Sequence, residues 1–582
     1  MPRQKGSDFT PWRVRGGGRG VGALEPAGRG PWRGYSAGMT SARHLLQAVL
    51  LCGLAAGLAQ ARAETVVAAV ATAAPAPALP YSAAVAARFP DPEPPDDTPV
   101  LAAGVPGFTG NAELADQLAA LVAAAPAGTR ITRLSPGRSQ DGTAIEALHF
   151  SRGPGRPVVL LIGQQHGDEP AGAEALLVIA RQLAGGPLAA VLDHIDVTVL
   201  PRANPDGAEW QRRVAADGLD INRDHLLLRT PEAQAVAALV RRQRPVVVVD
   251  AHEHTVVGRY LQKFQAVQRN DLLLQYAMAA NLPEALGRAS EDWFRQPILA
   301  ALAAEGHRSE WYYTNALAPT DFRLAMGGVQ PDTGRNVNGL RNAVSLLLES
   351  RGVGIGRLHL ARRIRSQLLA LRTVLQQAAL HADDLRALQA AADAEVRAAA
   401  CGGPAVVLAA STPTRRTLLM LDPVTGADKA VDVAWESALA LRVVTARPRP
   451  CGYWLDAGQA PAVAALRALG VQVQRLATPA RLPAEAWVET ARGEISRPDV
   501  RGIVADGFRT ILQLVVDLQP QDLAAPAGSW YVPLDQPLAN LVIAALEPDS
   551  QNSYVANRLI DRLDAARRVL VRPEPAQLSP GQ

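Results

Sequence analysis

Gln164-Gln165-His166-Gly167-Asp168-Glu169-Pro170-Ala171-Gly172 follows an apolar run at 157–162 and precedes a stretch, 171–183, with alanine and leucine at helical spacing. The run has the length and branched content of a buried strand. His166 and Glu169 fall three residues apart on the turn that leaves it. An imidazole nitrogen and a carboxylate oxygen so placed can share one zinc ion. A catalytic zinc takes three such protein ligands and keeps a fourth position open for water. Alone, the pair says little, because a histidine beside an acid in a loop is usually a solvated turn. Its partners must come from farther along the chain.

Two further strand candidates lie at 195–200 and 245–249, with a second helical stretch at 231–242. Upstream, 111–124 reads as a helix, and 130–134 pairs with 145–151 around the turn Gln140-Asp141-Gly142. Strands alternating with helices, the strands apolar along their length, predict an α/β fold with a mixed, largely parallel central sheet flanked by helices. Ligands of such sheets gather beyond the carboxyl ends of the strands. His166 lies beyond the first of the three buried strands and His252 beyond the third, which brings both to one site.

More chemistry-bearing segments follow in order: Asn204-Pro205-Asp206-Gly207, Arg212-Arg213, Asp220-Ile221-Asn222-Arg223, Asp250-Ala251-His252-Glu253-His254 and Leu348-Glu349-Ser350-Arg351-Gly352. Taken together with His166 and Glu169, they resemble the zinc carboxypeptidases of the carboxypeptidase A type, the funnelins. The resemblance covers about residues 108–375 and rests on six segments in family order. It implies that His166, Glu169 and His252 hold one zinc ion and leave water in the fourth position. Glu349 is then the general base and acid for that water. Arg213, nine residues before Asn222, stabilises the oxyanion. Asn222 and Arg223 bind the substrate's terminal carboxylate, which an arginine fork matches bidentately. Asp220 takes the free ring N–H of His166 and fixes its tautomer. Arg212 competes with Arg213 for its role, His254 with His252, and Asp250 and Glu253 read either as supports of the ligands or as solvated charges.

The family places a tyrosine on a loop that closes over the substrate. No tyrosine stands between Phe322 and Glu349, and Tyr312 and Tyr313 lie farther upstream than the pattern expects. Either a shifted loop supplies one of them or the cap is absent; the segment Gly334-Arg335-Asn336-Val337-Asn338-Gly339-Leu340 occupies the region instead and offers substrate contacts. The resemblance implies an exported metallocarboxypeptidase acting on peptides with a free C-terminal carboxylate. Two alternatives remain: a zinc amidase or deacylase acting on peptidoglycan stem peptides or N-acyl amino acids, and a non-catalytic binding protein on the same scaffold.

Apolar residues make up 48% of the 582-residue chain and charged ones 20%, which describes a globular protein with a substantial core. The net charge of +4 misleads: residues 1–63 carry nine basic and two acidic side chains, so the remainder is acidic and no nucleic-acid partner is expected. Met39 opens a better N-terminus than Met1. Arg43, the apolar run 45–59 and Ala61-Arg62-Ala63 form a secretory signal, and no run reaches the length of a membrane span. The expected organisation is a mis-called extension at 1–38, a signal peptide at 39–63 and an Ala/Pro-rich linker at 64–107. The catalytic domain at 108–375 follows, then a connecting helix at 376–400 and an α/β or β-rich accessory module at 401–582. A long helical stretch spans 358–400. Cys401 and Cys451 remain after export, an even count that allows a disulfide or two buried thiols.

Overall fold

The apolar run before His166 forms a strand near the middle of the central sheet. Numbered along the chain, the strands are β1 (Arg130–Arg138), β2 (Ala144–Ser151), β3 (Val158–Gly163), β4 (Asp196–Leu200), β5 (Val247–Thr255), β6 (Leu272–Tyr276), β7 (Ser309–Trp311), β8 (Tyr313–Asn315), β9 (Leu324–Met326) and β10 (Val344–Val353). The computed structural model describes residues 79–496 and 510–579; the extension at 1–38, the signal segment and the first part of the expected linker lie outside them. Among the described residues the central sheet runs β1-β2-β4-β3-β5-β10-β6-β7. Strands β4, β3, β5 and β10 are mutually parallel, and antiparallel pairs join them to β2 and β6.

The period of two along each strand explains how the sheet is covered. Val159, Leu161, Val247, Val249, Leu346 and Leu348 face the helices Pro170–Gly185 and Leu360–Leu380. Leu160, Ile162, Leu200 and Val248 face the helix Pro231–Gln243 through Val236, Leu239 and Val240. The connection leaving β3 sends the chain to β4 on one side, and the next returns it to β5 on the other. This reversal opens a crevice at the carboxyl ends of β3 and β5. Strand β5 runs beyond the expected limit at 249, so His252 sits inside it rather than past it. Strands β5 and β10 pair with Glu349 opposite His252.

The expected single long helix at 358–400 is two, Leu360–Leu380 and Ala382–Ala398, which meet at His381. Beyond them β11 (Pro404–Leu421) and β12 (Asp428–Pro448) form a long hairpin. Trp435 and Glu436 of β12 pair with Leu324 and Ala325 of β9, and β9 pairs with β8. Leu418, Met420, Val433 and Trp435 thereby share a core with Tyr260, Leu273, Tyr313 and Met326. The remaining C-terminal strands form another sheet, whose core takes in Leu226, Leu228, Val337 and Leu340 from the region expected to be catalytic. The region after 401 is thus β-rich and continuous in its packing with what precedes it.

Residues 79–107 also differ from expectation: they are packed, not a linker. Tyr81, Val85 and Phe89 are buried, and the Arg351 guanidinium lies 3.2 Å from the centre of the Phe89 ring. Asp96 accepts from Arg365 at 2.7 Å, and Asp91 accepts from the backbone N–H of Arg362 at 2.9 Å. The acidic, proline-rich segment therefore lies along the arginine-rich start of the helix Leu360–Leu380.

Cys401 and Cys451 are joined by a disulfide that closes a 50-residue separation. In the chain-entropy account such a loop contributes about 4 kcal/mol. Replacing both cysteines by serine is expected to lower the unfolding free energy by about that amount in a denaturant titration. A loss under about 1 kcal/mol refutes the entropic account here.

Candidate active site

The turn after β3 is built for close approach. Gln164 has a left-handed φ of 48°, which turns the chain sharply out of the strand. A Cβ on Gly167 would lie 1.9 Å from the carbonyl carbon of Gly207, so the two turns touch backbone to backbone. Asn204 fixes that contact: its amide donates to the Gln165 carbonyl and its Oδ1 accepts from Gly207 N–H. The Asn204-Pro205-Asp206-Gly207 segment is therefore the support of the histidine turn. Glu169 stands at the N-terminal end of the helix Pro170–Gly185, and β5 delivers His252 from the neighbouring strand.

His166, Glu169 and His252 converge, all buried, with donor atoms within 4.8 Å of one another. Glu169 Oε1 is 2.9 Å from His166 Nδ1, its Oε2 is 2.8 Å from His252 Nδ1, and the two Nδ1 atoms are 3.0 Å apart. The far nitrogen of each ring faces a carboxylate: His166 Nε2 lies 3.2 Å from Asp220 Oδ1, and His252 Nε2 lies 2.9 Å from Asp250 Oδ1. Those carboxylates put the ring protons on Nε2 and leave both Nδ1 atoms as acceptors. Two lone pairs and a carboxylate aimed at one point call for a cation.

The charge balance agrees. Burial opposes ionisation of Glu169, Asp220 and Asp250, yet their partners hold all three below their usual pKa. Those partners are chiefly His166 and His252 for Glu169, Arg213 and His166 for Asp220, and His252 and Gln165 for Asp250. Burial likewise opposes a charge on His252, but Asp250 and Glu169 hold its pKa well above the usual value. Without a metal His252 therefore carries a proton; a dication would displace it, and the three ionised carboxylates against one guanidinium, Arg213, would then leave two negative charges for it to neutralise. The donor set fits zinc, and His252 rather than His254 meets it. His254 has its Nε2 buried without a hydrogen-bond partner, and burial pushes its pKa down to about 3.

The other expected residues surround this point in one cavity of about 570 Å³. Arg213 donates through Nε and Nη2 to Asp220 Oδ2 at 3.2 and 2.9 Å, while its Nη1 reaches Glu169 Oε1 at 3.3 Å. Arg212 is exposed and does not line the cavity. Asn222 hydrogen-bonds its own neighbourhood through Oδ1, which accepts from Gly334 N–H at 2.8 Å, and Arg223 Nη1 donates to the Asn222 carbonyl at 2.6 Å. Glu349 is buried beside His252; burial pushes its carboxyl up to about 8, with His252 opposing the rise and Glu169 adding to it. Glu253 points away into a bidentate pair with Arg363, at 2.8 Å for each bond.

Three residues enter whose roles sequence reasoning left open. Asp250 backs His252; its place two residues earlier on the same strand face was the available signal. Tyr312, between β7 and β8, lines the cavity from the wall that β9 and β12 support. Burial raises its hydroxyl pKa, and Glu349 adds to the rise. Arg335, at the start of the short helix Gly334–Gly339, is buried and lines the same cavity.

Comparison with known proteins agrees with this geometry. A family model described as zinc carboxypeptidase matches residues 115–334. Carboxypeptidase 2 of Trichophyton rubrum is 29% identical over 406 residues, which cover 69% of this chain and 74% of that protein. The probable carboxypeptidase 2 of Arthroderma benhamiae is 30% identical over 396 residues, covering 67% and 73%. A solved metallo-carboxypeptidase from Burkholderia cenocepacia aligns with 46% of this chain and 68% of its own at 17% identity, with a TM-score of 0.36. Two histidines and a glutamate poised for one zinc ion, set in a chain that shares most of its length with these fungal carboxypeptidases, place the protein in the zinc carboxypeptidase family.

Proposed function

We propose that the protein is an exported zinc metallocarboxypeptidase that hydrolyses the C-terminal peptide bond of peptides, with its catalytic residues within 108–375. The observation that carries this reading is that His166, Glu169, Arg213, Asn222, Arg223 and Glu349 line one cavity. His166, Glu169 and His252 would hold the zinc ion, which would supply Lewis acidity to a water near neutral pH. Glu349 takes the proton of the attacking water and passes it to the leaving amine. Arg213 is held by Asp220 through two of its nitrogens and turns the third toward the ligand set, where it donates to the developing oxyanion. Arg223 has no carboxylate partner among the described residues, and with Asn222 it takes the terminal carboxylate of the substrate. Tyr312 covers the site from the opposite wall. The signal-like segment at 39–63 and the Cys401–Cys451 disulfide support export. No helix among the described residues is long and apolar enough to cross a membrane.

Matched peptides with free and amidated C-termini test the reading. Amidation is expected to lower kcat/KM at least about tenfold, since it deprives a charged clamp of its partner. Arg223→Ala should cause a similar loss on free acids and little further loss on amides, because both changes remove one contact. Equal cleavage of both peptides by the wild type overturns the proposal and favours the deacylase.

A further inference from the structure

Arg335 is 3% exposed and, among the described residues, makes no ion pair. Its Nη2 donates to the Gly328 carbonyl at 2.8 Å and its Nε to Asn336 Oδ1 at 3.3 Å. Asn336 is itself anchored, donating to the carbonyls of Gly328 and Gln330 and accepting from Met278 N–H. The guanidinium is thus held from one side, and Nη1 has no hydrogen-bond partner among the described residues. Gly327 leaves room beside it: a Cβ there would lie 2.8 Å from Nη1 and 2.8 Å from Tyr312 Cδ1. A buried cation without a paired carboxylate is costly: burial and Arg223 weigh against the charge here, while Tyr312, Glu349 and Asp250 favour it without pairing with it. Such a group is retained where a ligand brings the anion.

The position of Arg335 says which anion. Its neighbour Gly334 donates to Asn222 Oδ1, so the arginine is tied through the backbone to the proposed carboxylate clamp. Two guanidiniums without carboxylate partners among the described residues, Arg223 and Arg335, line the same cavity. The acids that line it are all committed. Glu169 belongs to the zinc ligands, Glu253 is bound by Arg363, and Glu349 is the proposed proton carrier. None is left to receive a basic side chain. Leu347 and the Tyr312 ring offer apolar contact for a short methylene stem.

We propose that Arg335 is a specificity residue that pairs with the side-chain carboxylate of a C-terminal glutamate or aspartate, so that acidic residues are removed in preference to neutral and basic ones. This rests on the carboxypeptidase reading above.

The test uses the zinc-loaded protein and acyl-dipeptides that differ only in the last residue: Glu, Gln, Leu or Lys. Wild type is expected to favour Glu over Gln by at least about tenfold in kcat/KM and to be slowest on Lys. In Arg335→Gln the Glu-to-Gln ratio should fall to about one, while Arg335→Lys should keep part of it, since the charge remains but the fork is lost. Zinc content and Tm establish that each variant is folded; if neither variant folds, the wild-type ranking decides alone. Wild type that prefers Leu or Lys overturns the proposal. So does an Arg335→Gln loss equal on all four substrates, which makes Arg335 a second hand on the terminal carboxylate. Failure of the underlying reading looks different: none of the four peptides is cleaved, or their amides are cleaved as fast.

Discussion

Glu349→Gln is expected to retain zinc, to bind substrate with little change in KM, and to lose about 10²–10⁴-fold in kcat, the usual contribution of a positioned acid–base group. Strand pairing supplies the reason. Residues opposite each other on neighbouring strands point to the same face, and β10 sets Glu349 opposite His252. The carboxylate is therefore beside the proposed zinc ligands and outside their cluster. Glutamine keeps the volume and the polarity but cannot take a proton from water. The surroundings also suit the carboxyl to proton transfer, since burial raises its affinity for a proton and His252 works the other way. A group balanced between these influences can both accept and release a proton near neutral pH. Single-turnover kinetics with zinc analysis checks this. A variant that loses zinc together with activity, or one that raises KM at unchanged kcat, removes Glu349 from the proton-transfer role.

Much of this arrangement was legible because its signals are local. His166 and Glu169 share one turn, and the strand before them is marked by an unbroken apolar run. The order of strands and helices was enough to predict which strand ends meet. What escaped depends on contacts between distant segments. Tyr81, Val85 and Phe89 recur every fourth residue, a helical signal hidden in alanine and proline, and their burial depends on Arg351 and on Val256, Val267, Ile355 and Leu421, all far along the chain. Arg335 looks like any surface arginine until Asn336 and the Gly327–Gly328 backbone enclose it. Tyr312 could not be placed because its wall is completed by pairing between β9 and β12, more than a hundred residues apart in sequence. The region after 401 was readable as strands, but alternation within a strand does not reveal its partner. Here that partner is the wall of the cavity.

The proposed zinc ligands and their supports give the second large effect. His252→Ala is expected to lose both zinc and activity, whereas His254→Ala should keep zinc, because His254 stands outside the converging donors. Asp250→Asn is the more discriminating change. Asp250 meets His252 Nε2 at 2.9 Å and accepts from Gln165 at 2.7 Å, so it sets the tautomer that aims Nδ1 at the ligand set. It also carries one of the charges that a dication balances. Replacing such a support typically weakens metal affinity about 10–100-fold. Zinc retention after dialysis against graded chelator concentrations measures this directly, and thermal unfolding gives an independent reading. A ligand bound only by the folded state stabilises it by about 4 kcal/mol when present at a thousand times its Kd. Chelation should therefore lower the Tm of wild type clearly and that of His252→Ala hardly at all, with Asp250→Asn between them at limiting zinc. Asp250→Asn that binds zinc as tightly as wild type rules out the supporting role. Zinc lost by His254→Ala and kept by His252→Ala reverses the choice of ligand.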